Sequence, residues 1–243
     1  MNKLKNSHLL SRQPLSMLKK SIQYIYFDRI DSTNGWVRMH AHHLSKEHFT
    51  CVIAREQTAG KGRFKRVWIS PRGENIYASL FFTLKATTPY ISYMGQLMAY
   101  SCIESLRSAL FPAYLKWPND IFIEGKKVGG VLTESFFIEN EIGILIGLGL
   151  NVDLQEEVLT KINQPATSLS RELGANKSGR SWLKAILERF YYLLTKLQCD
   201  SLPSFQESLK TFLSPPIKQN SENGGTSRDK NGILIPRLQP PSP

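Results

Sequence analysis

Short connections between apolar segments from Tyr114 to Val152 constrain this chain more than any other feature of its sequence. Tyr114 to Trp117, Ile121 to Ile123, Val128 to Ile138 and Glu141 to Val152 are rich in β-branched and aromatic residues and read as strands. A parallel pair needs a crossover of about a dozen residues or more, usually a helix. Glu124-Gly125-Lys126 and Glu139-Asn140 are far too short for that. These strands must therefore pair antiparallel, which argues against a doubly wound nucleotide-binding fold.

Upstream, Ile22 to Phe27 and Thr50 to Ala54 read as short strands and Asn75 to Leu84 as a longer one. Asp31-Ser32-Thr33 offers helix N-caps ahead of Asn34 to Leu44, where Trp36, Val37, Met39 and Leu44 fall roughly on one side. Ile91 to Leu110 and Ser181 to Gln198 carry helical spacing, the second through Trp182, Ala185, Ile186, Arg189, Phe190 and Leu193. The expected architecture is α+β, a largely antiparallel mixed sheet flanked by helices. One domain is expected over 22–213, behind a basic arm at 1–21. Residues 214–243 hold six Pro and five aliphatics (Ile217, Ile233, Leu234, Ile235, Leu238), too little to offset the entropy of ordering, and read as a tail.

Composition removes several function classes. No apolar run reaches the ~18 residues that span a bilayer, and no apolar stretch follows the N-terminal lysines as a signal peptide requires. A cytoplasmic protein without a membrane partner is expected. Cys51, Cys102 and Cys199 have neither zinc-site spacing nor a disulfide pattern. His40, His42, His43 and His48 lack a carboxylate or cysteine at ligand spacing and read as surface histidines. The net charge is +11, and the first 27 residues hold five Lys or Arg and no acid. What remains concentrates in Lys61, Arg63, Lys65 and Arg66, set among glycines, a density that suits a small polyanion better than a long duplex.

Familiar phosphate-loop patterns fail letter by letter. Gly60 to Lys65 has Lys where GxGxxG needs its last glycine, and Gly174 to Ser181 has Arg for the Walker lysine and follows a helical segment. The stretch Arg55 to Tyr77 is more informative. Gly60 and Gly62 permit close backbone approach, the basic residues supply donors for phosphates, and Trp68 offers a flat apolar face. Lys116-Trp117-Pro118-Asn119-Asp120 puts an amide and a carboxylate at a strand-to-strand corner, where one can read a base or hydroxyl and the other can hold Mg²⁺. Lys127 brings a cation near the same corner. Asn151, ending an apolar run, needs a backbone or ligand partner.

Taken together, these segments resemble the biotin protein ligase family: Asp31-Ser32-Thr33-Asn34, the Gln57 to Trp68 loop (the family's GRGRxGRxW), Ser70-Pro71-x-Gly73, Lys116 to Asp120 (KWPND), Lys127 to Leu132, Gly147 to Asn151 and Thr167-Ser168-Leu169. The resemblance implies a catalytic domain related to class II aminoacyl-tRNA synthetases. It also implies a two-step reaction in which biotin and Mg·ATP give biotinyl-5′-AMP, and a lysine of a biotin carboxyl carrier domain then takes the biotinyl group. By position it gives Ser32, Thr33, Asn34, Gln57, Lys61, Gly62, Arg63 and Lys127 to biotin, with Arg63 and Lys127 catalytic. Gly60, Arg63, Arg66, Trp68, Lys116, Asn119 and Asn151 go to ATP, and Asp120 to Mg²⁺. A homodimer is compatible with it, and no nucleic-acid partner is expected, because residues 1–21 are too short for the helix-turn-helix domain of bifunctional members.

Two departures stand out. Lys65 replaces the third glycine of the basic loop, and the proline-rich tail has no counterpart to the family's small C-terminal barrel. Two other readings compete with this one. A lipoate or octanoate ligase of the same superfamily would carry RRxSGGGxVxHD, which is absent; a basic nucleic-acid-binding protein would show salt-sensitive binding indifferent to biotin and ATP.

Overall fold

The computed structural model describes residues 21–73, 75–173, 178–199, 207, 227–228 and 234–235. Its centre is a seven-stranded sheet in the order β1-β2-β3-β7-β6-β5-β4. The strands are β1 (Ile22–Phe27), β2 (Phe49–Ala54), β3 (Ile76–Lys85), β4 (Ala113–Lys116), β5 (Asp120–Ile123), β6 (Lys126–Ile138) and β7 (Glu141–Leu150). From β4 to β7 every pairing is antiparallel, as the short connections require. Only β1 and β2 run parallel, and the chain between them is long enough to hold the helix α1 (Thr33–His40) as a crossover.

The remaining helices are α2 (Met94–Ser108), α3 (Glu156–Leu159), α4 (Leu169–Leu173) and α5 (Gly179–Cys199). Alternation along β3 and β7 separates two faces. Ala78, Leu80, Phe82 and Leu84, with Ile144, Ile146 and Leu148, enter the main core with Met94, Leu97, Met98, Ile103 and Leu106 of α2 and Ile186, Leu187 and Phe190 of α5. Burying each such large side chain contributes about 1.5–3 kcal/mol relative to exposure. On the opposite face Phe81 and Leu145 pack with Val37 and Ala41 in a smaller core beneath α1, which leaves the rest of that face free for a site.

Two details of the expected apolar stripes change. Ser32 caps α1 by accepting the Gly35 amide, but Met39 is exposed. The helix stops at His40 and passes into a 3₁₀ turn at Ala41–His43; Val37 is buried in the smaller core, and Trp36 and Leu44 pack against it half-buried, so of the expected set Met39 alone turns away. In α5 the buried row runs through Trp182, Leu183, Ile186, Leu187, Phe190, Leu194 and Leu197, while Ala185 is exposed. Arg189 instead reaches Glu104 of α2, Nε to Oε2, at 3.4 Å.

Apart from Ser21, the expected arm lies outside the described residues. Within 214–243 they comprise β8 (Ser227–Arg228) and β9 (Leu234–Ile235), which pair antiparallel. Residues 174–177 of the Walker-like stretch are likewise outside them. No helix among the described residues is long and apolar enough to cross a membrane.

Candidate active site

A cavity of about 210 Å³ opens over β3, β7 and β6, walled by the start of α1, the loop between β2 and β3, and the corner between β4 and β5. Ser32, Thr33, Asn34, Gln57, Lys61, Gly62, Arg63, Arg66, Trp68, Asn119, Asp120 and Lys127 all line it. Residues from four separate stretches of sequence thus meet in one place.

The cavity has a neutral end and a cationic end. At the neutral end, Gln57 Oε1 accepts both the Thr33 backbone N–H, at 2.9 Å, and the Thr33 hydroxyl, at 3.1 Å. Gln57 Nε2 donates to Ser70 Oγ at 3.0 Å, and the Ser70 hydroxyl donates to the Trp68 carbonyl at 2.9 Å. Asn34, 6% exposed, lies with Oδ1 2.5 Å from Ser79 Oγ, and that hydroxyl is 2.8 Å from Thr33 Oγ1. Two glycines of β7 make this packing possible. A Cβ on Gly147 would come within 2.4 Å of Asn34 Oδ1, and one on Gly149 within 2.5 Å of the Trp68 ring. The Gly147-Leu148-Gly149 run is thus a floor: its small residues share one face of a strand, and a buried amide and an indole lie directly on it.

At the cationic end, the basic loop closes on itself as a tight hairpin. Trp68 N donates to Gly60 O at 2.9 Å and Gly62 N to Arg66 O at 2.8 Å, with Lys61 bridged to Val67. Arg63 Nη1 donates to Asn119 Oδ1 at 3.0 Å, tying the loop to the β4–β5 corner. Asn119 is itself fixed, its Nδ2 donating to the Val131 carbonyl at 2.9 Å. A register shift between β5 and β6 at Ile121/Phe122 re-aims the start of β6. Lys127 Nζ there lies 2.8 Å from Asp120 Oδ1 and 5.3 Å from the centre of the Trp68 ring. Trp68 Nε1 has no hydrogen-bond partner among the described residues.

Three expected site residues take other places. Lys116 pairs with Asp120 across β4 and β5, but it is exposed and does not line the cavity; its Nζ lies 4.9 Å from the Phe122 ring centre. Gly60 lies behind the loop, where a Cβ would strike the Trp68 carbonyl at 2.4 Å; it permits packing rather than ligand approach. Asn151 is buried and donates from Nδ2 to the Thr167 carbonyl at 3.0 Å, so its partner is backbone. It borders a neighbouring depression shared with Arg66, Trp68 and Lys127. Ser79 and Glu134 escaped sequence reasoning. Ser79 is a polar residue on a strand buried on both faces, and that anomaly was the available signal.

The chemistry open to this site is binding and charge stabilisation. Burial pushes the Cys51 thiol up to about 12 and raises the Cys102 thiol; both sit in the main core, so neither offers a thiolate to the cavity. Burial also raises the Tyr77 phenol, against the effect of a hydrogen bond with Asn75. No cluster of three or more His, Cys, Asp or Glu that could hold a metal occurs among the described residues. Asp120 is the one carboxylate among the described residues lining the cavity. That donor set fits Mg²⁺ arriving with a polyphosphate, since Mg²⁺ keeps several waters and takes one or two carboxylates besides phosphate oxygens.

Known proteins resemble this chain in sequence and in fold. The bifunctional ligase/repressor BirA of Bacillus spizizenii is 36% identical over 153 residues, 62% of this chain and 47% of the relative. The BirA of Escherichia coli is 29% identical over 216 residues, 85% of this chain and 66% of the relative. The chain thus spans about half the length of the Bacillus relative. Biotin protein ligase from Aquifex aeolicus, solved in complex with biotin and ATP, superposes with a TM-score of 0.66 at 28% identity, covering 79% of this chain and 78% of that one. Residues 26–151, more than half of the sequence, match the model for this fold's ligases, and the chain belongs to the biotin/lipoate A/B protein ligase family.

Proposed function

We propose that this chain is an ATP-dependent biotin protein ligase. The observation that carries the reading is a single cavity with a neutral hydrogen-bonding wall at Ser32, Thr33, Asn34 and Gln57 and four cations, Lys61, Arg63, Arg66 and Lys127, beyond it. A cyclic urea needs neutral donors and acceptors, whereas a carboxylate and a triphosphate, both anionic, need positive charge to be brought together.

In the first step a biotin carboxylate oxygen attacks the α-phosphorus of ATP. The bond to the bridging oxygen breaks, pyrophosphate leaves with the electron pair, and biotinyl-5′-AMP forms. Lys127 and Arg63 donate to the crowded anions, and the effect is largest where charge builds up in the transition state. Trp68 gives the adenine a flat face. Asp120 would hold Mg²⁺ together with phosphate oxygens, and the ion supplies neutralisation of phosphate charge. The hairpin from Lys61 to Val67 covers the adenylate and keeps water from the mixed anhydride. In the second step a lysine amine of a biotin carboxyl carrier domain attacks the acyl carbon, AMP leaves, and the amine loses its proton to solvent.

The test is ATP–pyrophosphate exchange with Mg²⁺ and biotin, lipoate, octanoate or no acid. Exchange with biotin alone is expected. Exchange with lipoate or octanoate instead would move the chain to the sister activity, and no exchange with any acid would overturn the reading.

A further inference from the structure

Behind the neutral wall the hydrogen bonds run in one direction, and the direction is set by a side chain outside the cavity. Glu134, on β6, places Oε1 3.3 Å from Asn34 Nδ2 and Oε2 2.7 Å from Arg38 Nη1. It lies 100 positions from Asn34 in sequence, and it lines a different depression beside the basic loop. A carboxylate only accepts hydrogen bonds, so Asn34 must turn its amide nitrogen toward it. The reversed amide would set oxygen against oxygen at a buried position, leaving the nitrogen facing a hydroxyl.

With the nitrogen committed, Asn34 Oδ1 faces Ser79 Oγ at 2.5 Å. An amide oxygen cannot donate, so Ser79 must turn its one proton to the side where Asn34 Oδ1 and the Thr33 oxygen, 2.8 Å away, both accept. Gln57 is locked from the opposite side by two groups with a single role each: the Thr33 backbone N–H fixes Oε1, and the Trp68 carbonyl, through Ser70, fixes Nε2. The Thr33 proton is therefore committed to Gln57 Oε1, while the Thr33 oxygen accepts from Ser79. Thr33 Oγ1 is left with a lone pair for the cavity.

We infer that Glu134 is a positioning residue: acting through Asn34 and Ser79, it orders the wall so that Thr33 presents an acceptor to a ligand N–H. This role rests on the biotin reading above, in which a ureido N–H is that donor. Arg38 steadies the carboxylate from the exposed side, with 56% of its own side chain in solvent. Space for the arrangement comes from Gly147, whose missing side chain leaves room for Asn34.

A double-mutant cycle on biotin binding, read by calorimetric titration without ATP, separates this role from simple structural support. Glutamine in Glu134→Gln can offer either end to Asn34, so the wall loses its single polarity. Biotin affinity should fall about tenfold, the effect of one ordered hydrogen bond. In an Asn34→Ala background the same substitution should cost little more, and the KM for ATP in the exchange assay should not move. Equal losses in both backgrounds, or no loss in either, would overturn the role. If Glu134→Gln does not fold, Ser79→Ala breaks the next link inward and carries the same expectation. A wild-type chain that fails to bind biotin would overturn the functional reading along with this one. Wild-type binding matched by the variant would remove only the role of Glu134.

Discussion

Lys127 keeps only 13% of its side chain in solvent, and its charge is balanced by Asp120 at 2.8 Å and faced by the Trp68 ring. It is a fixed cation, held ready before any anion arrives, which is what makes such a group effective in a transition state. Lys127→Ala is expected to slow adenylate formation by roughly 10²–10³, the scale of losing one preorganised donor, with biotin affinity in the absence of ATP changing far less. Rapid-quench measurement of biotinyl-5′-AMP tests it, and a near-normal rate would remove Lys127 from the chemistry. Arg63 acts through reach, since its contact with Asn119 pins the hairpin to the opposite wall. Arg63→Gly should free the loop and let adenylate escape, so that proteins without an acceptor domain become biotinylated in a mixed incubation. Labelling confined to the acceptor would contradict that role. Arg63 was legible from local density of charge among glycines, and Lys127 from its place at the start of a strand beside the Lys116–Asp120 corner. Ser79 and Glu134 were not, because each sits in a strand legible as a strand but matters only through residues far away in sequence.

In the basic hairpin, Phe64 and Lys65 adopt φ of 55° and 60°, the left-handed region that costs an L-residue roughly 1–2 kcal/mol. Lys65 stands where the family pattern has glycine, so the chain retains the turn and bears the strain. Lys65→Gly should relieve about 1 kcal/mol of it, and slower amide exchange from Lys61 to Val67 is the readout. Unchanged or faster exchange would show that the added freedom of glycine outweighs the relieved strain. Strand β7 makes the converse case. Gly149→Ala would drive a Cβ to 2.5 Å from Trp68, and since the indole cannot pass through backbone it must leave its place. A loss of about 1–3 kcal/mol, the scale of overpacking, is expected in chemical denaturation, with a shift in Trp emission. The strand boundaries were legible to within a few residues because pleat alternation and short connectors are local. The stripe of α5 was less so, since which row of a helix faces inward depends on what packs against it.

Across the whole molecule, burial sets the alkaline limit of stability. Cys51 rises from 9.0 to about 12, and burial raises Cys102, Tyr77 and Tyr100 as well. Each group ionises more easily unfolded than folded. Their stabilising effect is fully present below the unfolded values and is lost as pH climbs through the folded ones. The melting temperature is therefore expected to be level up to about pH 8.5 and to fall progressively between about pH 9 and 12, as followed by circular dichroism. A flat profile through that window would mean that these groups are not buried as described. By itself, the sequence determined the strands, the antiparallel pairing from β4 to β7, a helix cap within Asp31-Ser32-Thr33 and the set of cationic residues, because each depends on periodicity, connector length or composition within a short stretch. Only the tertiary structure decided that Lys116 lies over Phe122 rather than in the cavity, that Asn151 bonds to backbone, and that Glu134 lies against Asn34. Those outcomes depend on the register of β3, β7 and β6 and on a shift between β5 and β6. Such registers are fixed by packing among residues far apart in the chain, and no local pattern encodes them.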